Sequence, residues 1–487
     1  MDDDDLTAFL RSFKRVSEAA SNLVPGENGP LLVDALTAFL GRSPRELSVV
    51  TREIMAFRFA DYDVALEHLA GPDVELLGIG GGGERHHNLL ADLIGSPWAN
   101  TSVGQVDWAD VAVGPEESRR VMALGIRLFH FDAQPVAVLQ RRASRMHGNG
   151  TGLLEVLSPD PSVSSKLLDT LRDLSTEQSL LRGQVLSLEQ VGYEGEGDGF
   201  RFIARPDLPA DAVVLPPGVL DRISGHIGGI AHHSEALRRY GQHLKRGVLL
   251  YGPPGTGKTH TVRHLISANP QHTVILLAGQ TLQFIVQATA IARHLSPAIV
   301  VLEDCDLVAM DRGFTPSGNP LLFEVLDTLD GLDADSDVAF LLTTNRVDVL
   351  ESALTQRPGR IDLAVEIPLP DEPARRRLLE LYRGEIGFSD AVLDDVATRS
   401  DSRTASFFKE LVRRAVLFAA TDGVEPADEH LTRSLDALLA DNEALSRSLL
   451  GSGDQPSDGW GEGDEVGFFT YGPALGPGGD TLSLGSS

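Results

Sequence analysis

The sequence has a single cysteine, Cys305, among its 487 residues, so the chain cannot form an internal disulfide. Such scarcity is typical of a reducing compartment. The sequence also lacks any apolar run that approaches the length of a membrane-spanning helix. Its first residues are a methionine and four aspartates, whereas a secretory signal begins with basic residues. From these absences we expect a soluble, cytoplasmic protein with no membrane span.

Positive charge is scarce as well. The chain has 42 Lys and Arg residues against 70 Asp and Glu residues, which gives a formal net charge of -28. A chain this acidic has no excess of cations with which to displace counterions from nucleic acid or from an anionic membrane. We therefore do not expect nucleic acid to be a general partner of this protein.

The sequence does contain a complete glycine-rich phosphate-binding loop, G-x-x-x-x-G-K-[ST]. An apolar run at 247–251 predicts a strand before the loop, and a helix is predicted after it as far as about residue 269. In this setting backbone amides bind phosphate, a lysine reaches the β- and γ-phosphates, and a hydroxyl binds Mg²⁺. The pattern therefore predicts a site for ATP with Mg²⁺. The predicted nucleotide-binding residues are Gly252, Pro253, Pro254, Gly255, Thr256, Gly257, Lys258, Thr259 and His260.

Two further apolar runs end in side chains that suit phosphate chemistry. Residues 298–302 are followed by Glu303 and Asp304, and a second run is followed by Asn345. The carboxyl ends of strands in an open α/β sheet face the crevice where ligands bind. We predict that Glu303 and Thr259 hold Mg²⁺ and that Asp304 activates the attacking water. Asn345 is predicted to hydrogen-bond a phosphate oxygen and that water.

Arg357 and Arg360 lie three residues apart on a predicted turn. Guanidinium groups can stabilise the charge on the oxygens of a transferring phosphoryl group. An ordinary surface turn is the alternative interpretation of this pair.

In their order and spacing, these four pieces resemble the AAA branch of the AAA+ ATPases over about residues 213–450. The likeness is carried by residues 245–259, 326–332, 344–371 and 404–415. It implies a helical lid beside the ATPase sheet and a sensor-1 role for Asn345. It also implies that Arg357 and Arg360 act as arginine fingers on the nucleotide of a neighbouring subunit, and hence that the chain assembles with itself in a ring, usually a hexamer.

The alternation of strand and helix patterns predicts the fold class. We expect an α/β P-loop NTPase parallel sheet of the AAA+ type with a helical lid, preceded by an α+β N-terminal domain and followed by a disordered tail. The strands predicted for the parallel sheet are 248–251, 273–277, 298–302, 338–343 and 364–367, and the helices predicted after it are 374–383, 391–398, 405–420 and 429–450. The predicted boundaries are 1–205 for the N-terminal domain of unknown role, 206–217 for a linker, 218–385 for the large ATPase subdomain, 386–450 for the lid and 451–487 for the acidic, glycine-rich tail.

Two features of the N-terminal half bear on its interpretation. Residues 6–70 are predicted to be mainly helical, and β-hairpins are predicted between 106 and 142. A G-x-G-x-x-G match at 78–83 follows a strand-like run, but hairpins rather than a βαβ unit come after it. A flexible loop is therefore favoured there over a second nucleotide site.

The sequence departs from the family pattern in two places. The family usually has Asp and then Glu at the end of the acidic strand, whereas this chain has Glu303 and then Asp304. The segment 279–297 is shorter than in members that thread polypeptides, and the nearest candidate for their pore loop, at 284–286, is better interpreted as part of a core helix. These departures put the hydrolysis rate and polypeptide threading in question.

Three functions remain open at this stage. We favour an oligomeric ATPase that remodels an unknown protein client, bound by the N-terminal region. An ATP-gated scaffold with little hydrolysis is the first alternative, motivated by the two departures. An ATPase linked to nucleic acid is the second, and the net charge argues against it.

Overall fold

A computed structural model describes residue 12 and residues 30–95, 101–142, 151–188, 199–305, 336–346 and 361–449. For 83, 84 and 442–449 it describes the backbone alone. In these ranges the chain forms two seven-stranded sheets. No helix in the same ranges has the length and apolar character that a membrane crossing requires.

The first sheet is antiparallel and has the strand order β1-β7-β6-β5-β2-β3, with β4 paired to β5. Its central strand β5 is long enough to pair with β4 along one half and with β2 along the other. The strands are β1 (Val50–Met55), β2 (Glu75–Ile79), β3 (Val103–Gly104), β4 (Asp107–Ala112), β5 (Ser118–Phe131), β6 (Gln134–Arg141) and β7 (Thr151–Leu157). The hairpins predicted between 106 and 142 correspond to β4, β5 and β6.

Helices cover both faces of this sheet because the strands alternate apolar side chains between the faces. One face packs on α1 (Leu32–Leu40) and α3 (Leu90–Gly95). The other packs on α2 (Phe59–Ala70) and α4 (Pro161–Glu177). The N-terminal region is therefore a three-layer α+β unit.

The prediction of mainly helical structure up to residue 70 is wrong at β1. Residues Val50 to Met55 pair in antiparallel register with β7. The segment contains the β-branched residues Val50, Thr51 and Ile54, which suit a strand, and its pairing partner lies about a hundred residues further along the chain. Local periodicity does not detect a partner at that distance.

Gly78 and Gly80, in the glycine-rich run at 78–83, and Gly104 permit close contact between strands. A Cβ atom on Gly78 would lie 2.0 Å from the carbonyl carbon of Gln105, and one on Gly104 would lie 2.9 Å from the Cα of Gly80. Side chains at these positions would separate β2 from β3 and the residues that follow it. Close packing of β2 on β3 and the residues after it therefore accounts for Gly78, Gly80 and Gly104.

The second sheet has the order β14-β10-β13-β12-β11-β8-β9. Every pair in it is parallel except the edge pair β8–β9. Its strands are β8 (Val185–Leu188), β9 (Phe200–Ile203), β10 (Arg246–Tyr251), β11 (Thr273–Ala278), β12 (Ala298–Glu303), β13 (Val338–Thr344) and β14 (Leu363–Glu366). The parallel sheet predicted from the five alternating runs is confirmed as β10 to β14.

One part of the second sheet was assigned to the N-terminal domain by the sequence. Strands β8 and β9 lie before residue 205, yet β8 pairs in parallel with β11. The division between the two sheets therefore falls between α4 and β8. The segment 206–217, predicted as a linker, contacts the helix Lys258–Ala268 of the second sheet through Leu208 and Ala212.

The second sheet is covered on both faces and followed by four helices. Helices α5 (Val219–His232) and α7 (Lys258–Ala268) lie on one face, and α8 (Ile285–His294) lies on the other, while α6 (Ser234–Arg239) extends α5. The lid helices are α9 (Glu372–Arg383), α10 (Asp390–Arg399), α11 (Ala405–Asp422) and α12 (Asp428–Leu449), and they share a separate apolar core. All four predicted helices are present, but α9 packs in the lid core, whereas the predicted boundary at 386 placed it in the large subdomain. The predicted tail at 451–487 lies outside the described residues.

Buried polar contacts join the two halves. The Asp61 carboxylate on α2 accepts hydrogen bonds from the Leu180 amide at 2.9 Å and from the Ser179 hydroxyl at 2.7 Å. Arg182 donates to the Thr176 carbonyl at the end of α4 and to the Ser296 carbonyl just before β12, both at 2.8 Å. Movement of the N-terminal unit would therefore strain the segment that leads into β12.

Candidate active site

The glycine-rich loop connects β10 to α7 at the carboxyl edge of the sheet. Its backbone uses left-handed or related conformations at Gly252, Gly255 and Gly257, whose φ angles are 146°, 77° and 110°. A Cβ atom on Gly252 would lie 2.2 Å from the Ile367 carbonyl oxygen. Glycine is therefore required both for the turn and for close packing against the segment after β14.

Lys258, the first residue of α7, is buried under this loop. Its ammonium donates hydrogen bonds to the carbonyls of Gly252 and Pro253, both at 2.9 Å. The Thr256 hydroxyl also donates to the Pro253 carbonyl, at 2.9 Å. A cation held by the loop's own carbonyls lies where a polyphosphate bound inside the loop would meet it. The residues present thus fit a nucleotide.

The acidic strand end lies beside the loop. Glu303 ends β12, and its carboxylate accepts a hydrogen bond from the Thr259 side chain. Burial raises the pKa of Glu303, the charge of Asp304 raises it further, and Arg263 together with the Thr259 hydrogen bond opposes the shift. A hydroxyl and a carboxylate in contact are a donor set that suits Mg²⁺.

Asp304 and Asn345 extend from neighbouring strands and meet. The Asn345 side-chain amide donates to a carboxylate oxygen of Asp304 at 3.3 Å. Asp304 has a φ of 49°, in the left-handed region that non-glycine residues seldom adopt. Its backbone amide donates to the Thr343 hydroxyl at 3.0 Å. The structure therefore brings together the predicted residues of the loop, of β12 and of β13.

The lid contacts the loop directly. The Ser406 amide in the first turn of α11 donates to the Gly255 carbonyl at 3.1 Å. A Cβ atom on Gly255 would lie 2.4 Å from the Ser406 hydroxyl oxygen and 3.2 Å from that of Thr404. Any displacement of α11 would therefore change the packing against the phosphate-binding loop.

The structure shows His260, the last of the predicted nucleotide-binding residues, in contact with the segment before α5. Its Nε2 atom lies 3.1 Å from the carbonyl oxygen of Ala212 in the 206–217 segment. Burial lowers its pKa. One turn further along α7, His264 contacts the Leu208 carbonyl at 2.8 Å. These histidines fasten the segment before α5 to the helix that carries Lys258.

Sequence reasoning missed a cavity of about 130 Å³ beside the loop. Thr256 forms one wall, and the others come from residues before α5, after β14 and at the start of two lid helices. The lining residues are Val214, Leu215, Pro216, Thr256, Pro368, Leu369, Pro370, Asp371, Ala374, Leu378 and Ala405. The prolines near both 216 and 370 were the available signal, but local patterns do not show that they meet.

A second cavity, of about 470 Å³, opens on the other side of Thr259 and Glu303. Strands β8, β9 and β11 form one wall of this cavity, and Arg263 of α7 lies at its margin. It gives access to the acidic strand end from outside the chain. Arg357, Arg360 and the family-like segment 326–332 lie outside the described residues.

Comparison with known proteins agrees with this geometry. Residues 248–369 match the family described as "ATPase family associated with various cellular activities (AAA)". The proteasome-activating nucleotidase 2 of Halobacterium salinarum is 33% identical over 297 residues, which are 57% of this chain and 69% of that protein. A 26S proteasome regulatory subunit 6B homolog of Dictyostelium discoideum is 31% identical over 285 residues, 54% of this chain and 66% of that protein.

The similarity extends to proteins of other architecture. The ATP-dependent zinc metalloprotease FtsH 2 of Sphaerobacter thermophilus is 34% identical over 219 residues, 42% of this chain and 33% of that protein. The chain thus spans 66% of the proteasome subunit and only a third of this protease.

Fold and site define a P-loop nucleoside-triphosphatase, with a parallel sheet, a glycine-rich loop and an acidic strand end at the same edge. With the sequence similarity, they place the chain in the AAA family of ATPases. Its AAA module is accordingly an ATPase that uses ATP with Mg²⁺.

Proposed function

We propose that this chain is a ring-forming AAA ATPase that uses ATP hydrolysis to remodel a protein client. The observation that supports it most is the contact between Thr259 and Glu303, because it joins the phosphate-binding helix to the acidic strand. Asp304 and Asn345 meet at the same edge of the sheet. Binding and hydrolysis of one triphosphate need these groups together.

Each residue has a distinct role in this proposal. The backbone amides of Gly252, Gly255, Thr256 and Gly257 bind the β- and γ-phosphates together with the Lys258 ammonium. Thr259 and Glu303 would hold Mg²⁺, which neutralises phosphate charge when it is bound. Asp304 accepts a proton from the attacking water, and Asn345 holds that water in line with the γ-phosphate.

The 130 Å³ cavity would take the adenine base. Its walls are mostly aliphatic and proline side chains, which suit the face of a flat heterocycle, and it adjoins Thr256 of the loop. Because lid residues form part of its wall, binding of the base would order the lid against the loop. Closure of the lid is then the step that transmits hydrolysis to the rest of the chain.

A neighbouring subunit would complete the site. The 470 Å³ cavity leaves Thr259 and Glu303 accessible from outside the chain. Arg357 and Arg360 of the next subunit would enter there and stabilise charge on the γ-phosphate. A hexamer is the ring size that the family resemblance implies.

The client would bind the N-terminal unit, which is joined to the segment before β12 through Asp61 and Arg182. Two of the relatives are by name a proteasome regulatory subunit and a proteasome-activating nucleotidase. We place the protein in the cytoplasm, consistent with its single cysteine.

The first test is Lys258→Ala. This substitution removes the cation from the loop, and we expect ATP hydrolysis to fall by at least about 100-fold, because the phosphate charge is then unopposed. Phosphate release from the purified full chain measures it. Lys166→Ala is the matched control, since Lys166 is an exposed lysine of α4 that pairs with Asp132, and its activity should equal that of wild type.

The ATP-gated scaffold remains the alternative that a specific observation favours. Asp304 is one methylene shorter than the glutamate usual at this position, and a displacement of about 1 Å can cost roughly 100-fold in rate. Wild-type turnover above roughly 0.1 per second would contradict the scaffold. ATP binding without measurable turnover would instead favour the scaffold over the remodeller.

A further inference from the structure

The hydroxyl of Thr343 holds the backbone of Asp304. Thr343 lies in β13 with 1% of its surface exposed. Its hydroxyl oxygen accepts a hydrogen bond from the Asp304 amide at 3.0 Å, and its carbonyl oxygen accepts one from the Cys305 amide, also at 3.0 Å. One buried residue thus binds two successive amides just past the end of β12.

These two bonds coincide with an unusual backbone conformation. Asp304 has a φ of 49°. This conformation costs energy for an L-amino acid, and it persists only where the surroundings impose it. The strand hydrogen-bonding pattern that pairs β12 with β13 ends before this residue. The Thr343 hydroxyl therefore replaces a strand partner for the Asp304 amide, and this lets the chain turn at that point.

The turn aims the carboxylate. The Asp304 side chain reaches the Asn345 amide, with 3.3 Å between oxygen and nitrogen. Asn345 lies two residues beyond Thr343, just after the end of β13, so β13 and the residue that follows it hold both the backbone and the side chain of Asp304. A carboxylate on a short side chain reaches its substrate only if its backbone is placed correctly.

We propose that Thr343 is a positioning residue for ATP hydrolysis, and that its hydroxyl holds Asp304 in the left-handed conformation that presents the carboxylate to water. This inference rests on the proposed function, since it assigns water activation to Asp304. It explains how the shorter acid of the Glu303-Asp304 order can serve that reaction. In this proposal Thr343 acts through the backbone of Asp304.

The test compares Thr343→Val with Thr343→Ser in the full chain. Valine keeps the shape of threonine but has no acceptor, whereas serine keeps the hydroxyl. For Thr343→Val we expect kcat to fall by about 10- to 100-fold while KM for ATP stays within about twofold. Thr343→Ser should retain most of the wild-type kcat. A fall in kcat of the same size for serine, or no fall for valine, would overturn the proposal.

Thr273→Val is the matched control. Thr273 is a fully buried threonine of the same sheet whose hydroxyl accepts from the Gly183 amide at 3.1 Å, at the opposite edge from the site. It should lose stability as Thr343→Val does, but its kcat should match that of wild type. An equal loss of kcat in both variants would show a general effect on the sheet and would overturn the positioning role.

Amide hydrogen exchange separates this inference from the proposed function. In the full chain without nucleotide, the Asp304 amide should exchange at least about tenfold faster in Thr343→Val than in Thr343→Ser, because valine offers it no acceptor. Absence of wild-type ATP hydrolysis would refute the proposed function, and with it the role of Thr343 in positioning Asp304 for hydrolysis. Equal exchange rates of the Asp304 amide in the two variants would refute only the role of the Thr343 hydroxyl in holding that amide. This conclusion would not depend on the ATPase activity.

Discussion

Glu303 ends a buried strand, and this position controls its protonation. Burial raises its pKa above the ordinary value of 4.5, and the neighbouring Asp304 raises it further. A raised pKa means that the folded state favours the neutral acid. The stabilising contribution of the neutral acid is fully present below the ordinary pKa and is lost as the pH rises through the raised one.

The residue-scale prediction is that Glu303→Gln stabilises the nucleotide-free protein at neutral pH. Glutamine cannot ionise, and it still accepts the Thr259 hydrogen bond, so the cost of the partly buried charge disappears. We expect the unfolding temperature at pH 7.5 to rise by about 2 °C. Calorimetry without ATP or Mg²⁺ measures this change.

The pH dependence provides the control for Glu303→Gln. As the pH falls toward the ordinary value of 4.5, Glu303 takes up its proton in wild type as well. The difference in unfolding temperature between the two proteins should therefore shrink. A difference that is constant with pH, or a less stable variant at pH 7.5, would refute the assigned pKa direction.

At the scale of elements, the phosphate-binding loop is in direct contact with the lid helix α11. Gly255 has no side chain at this contact, and its carbonyl oxygen accepts a hydrogen bond from the Ser406 amide. The fit is close enough that a single methyl group would meet the Ser406 hydroxyl at 2.4 Å. A change in the position of the lid would therefore displace the phosphate-binding loop.

We predict that Gly255→Ala weakens ATP binding by about tenfold or more, because the lid must move away from the added methyl group. Gly241→Ala is the matched control. Gly241 also has a positive φ, of 68°, but a Cβ there would meet nothing within 4 Å. Both substitutions carry the same backbone cost, about 1–2 kcal/mol, so their difference in ATP affinity isolates the clash.

The clash can also be relieved from the lid side. Adding Ser406→Ala to Gly255→Ala removes the atom nearest to the new methyl group. The double variant should recover part of the lost ATP affinity in a calorimetric titration. If the affinity of Gly255→Ala equals that of Gly241→Ala, then the lid contact does not control nucleotide binding.

At the scale of the whole molecule, the proposal requires a second copy of the chain. The opening beside Thr259 and Glu303 belongs to one subunit, and Arg357 and Arg360 would come from another. A subunit with a defective phosphate-binding loop and a subunit with defective arginines should therefore restore activity when they assemble together. This complementation distinguishes arginines that act between subunits from a pair that acts within its own chain.

We predict that Lys258→Ala and Arg357→Ala/Arg360→Ala chains are each inactive alone but active when co-expressed. Random mixing should restore about a quarter of the wild-type ATPase rate, because one interface in four joins an intact loop to intact arginines. Lys258→Ala co-expressed with Asp304→Asn is the control and should stay inactive, since both lesions lie in the loop's own subunit. No recovery in the first mixture would contradict arginines acting in trans.

Much of the ATPase module could be predicted from the sequence because its signals are local. The strands β10 to β14 are apolar runs, and the lid helices have regular apolar periodicity. Each element can therefore be recognised from a short stretch of sequence. The loop is a contiguous motif whose glycines are required by its backbone angles. The predicted roles of these residues in catalysis remain predictions.

Long-range pairing decided what the sequence did not show. Strand β1 finds its partner β7 about a hundred residues away, and β8 joins the second sheet through β11 rather than the first. The 130 Å³ cavity is walled by four segments that lie apart in the sequence. Local patterns carry no information on such contacts, because their stabilisation appears only when the segments meet.

By itself, the sequence determined that a glycine turn stands beside an acidic strand and predicted that phosphate binds there, since the residue types needed for that chemistry lie within short, recognisable runs. Only the tertiary structure decided how Asp304 is held, because a hydroxyl on the next strand has to reach its amide and an asparagine its carboxylate. Such bonds depend on distances of about 3 Å between groups some forty residues apart, and only the folded sheet sets those distances.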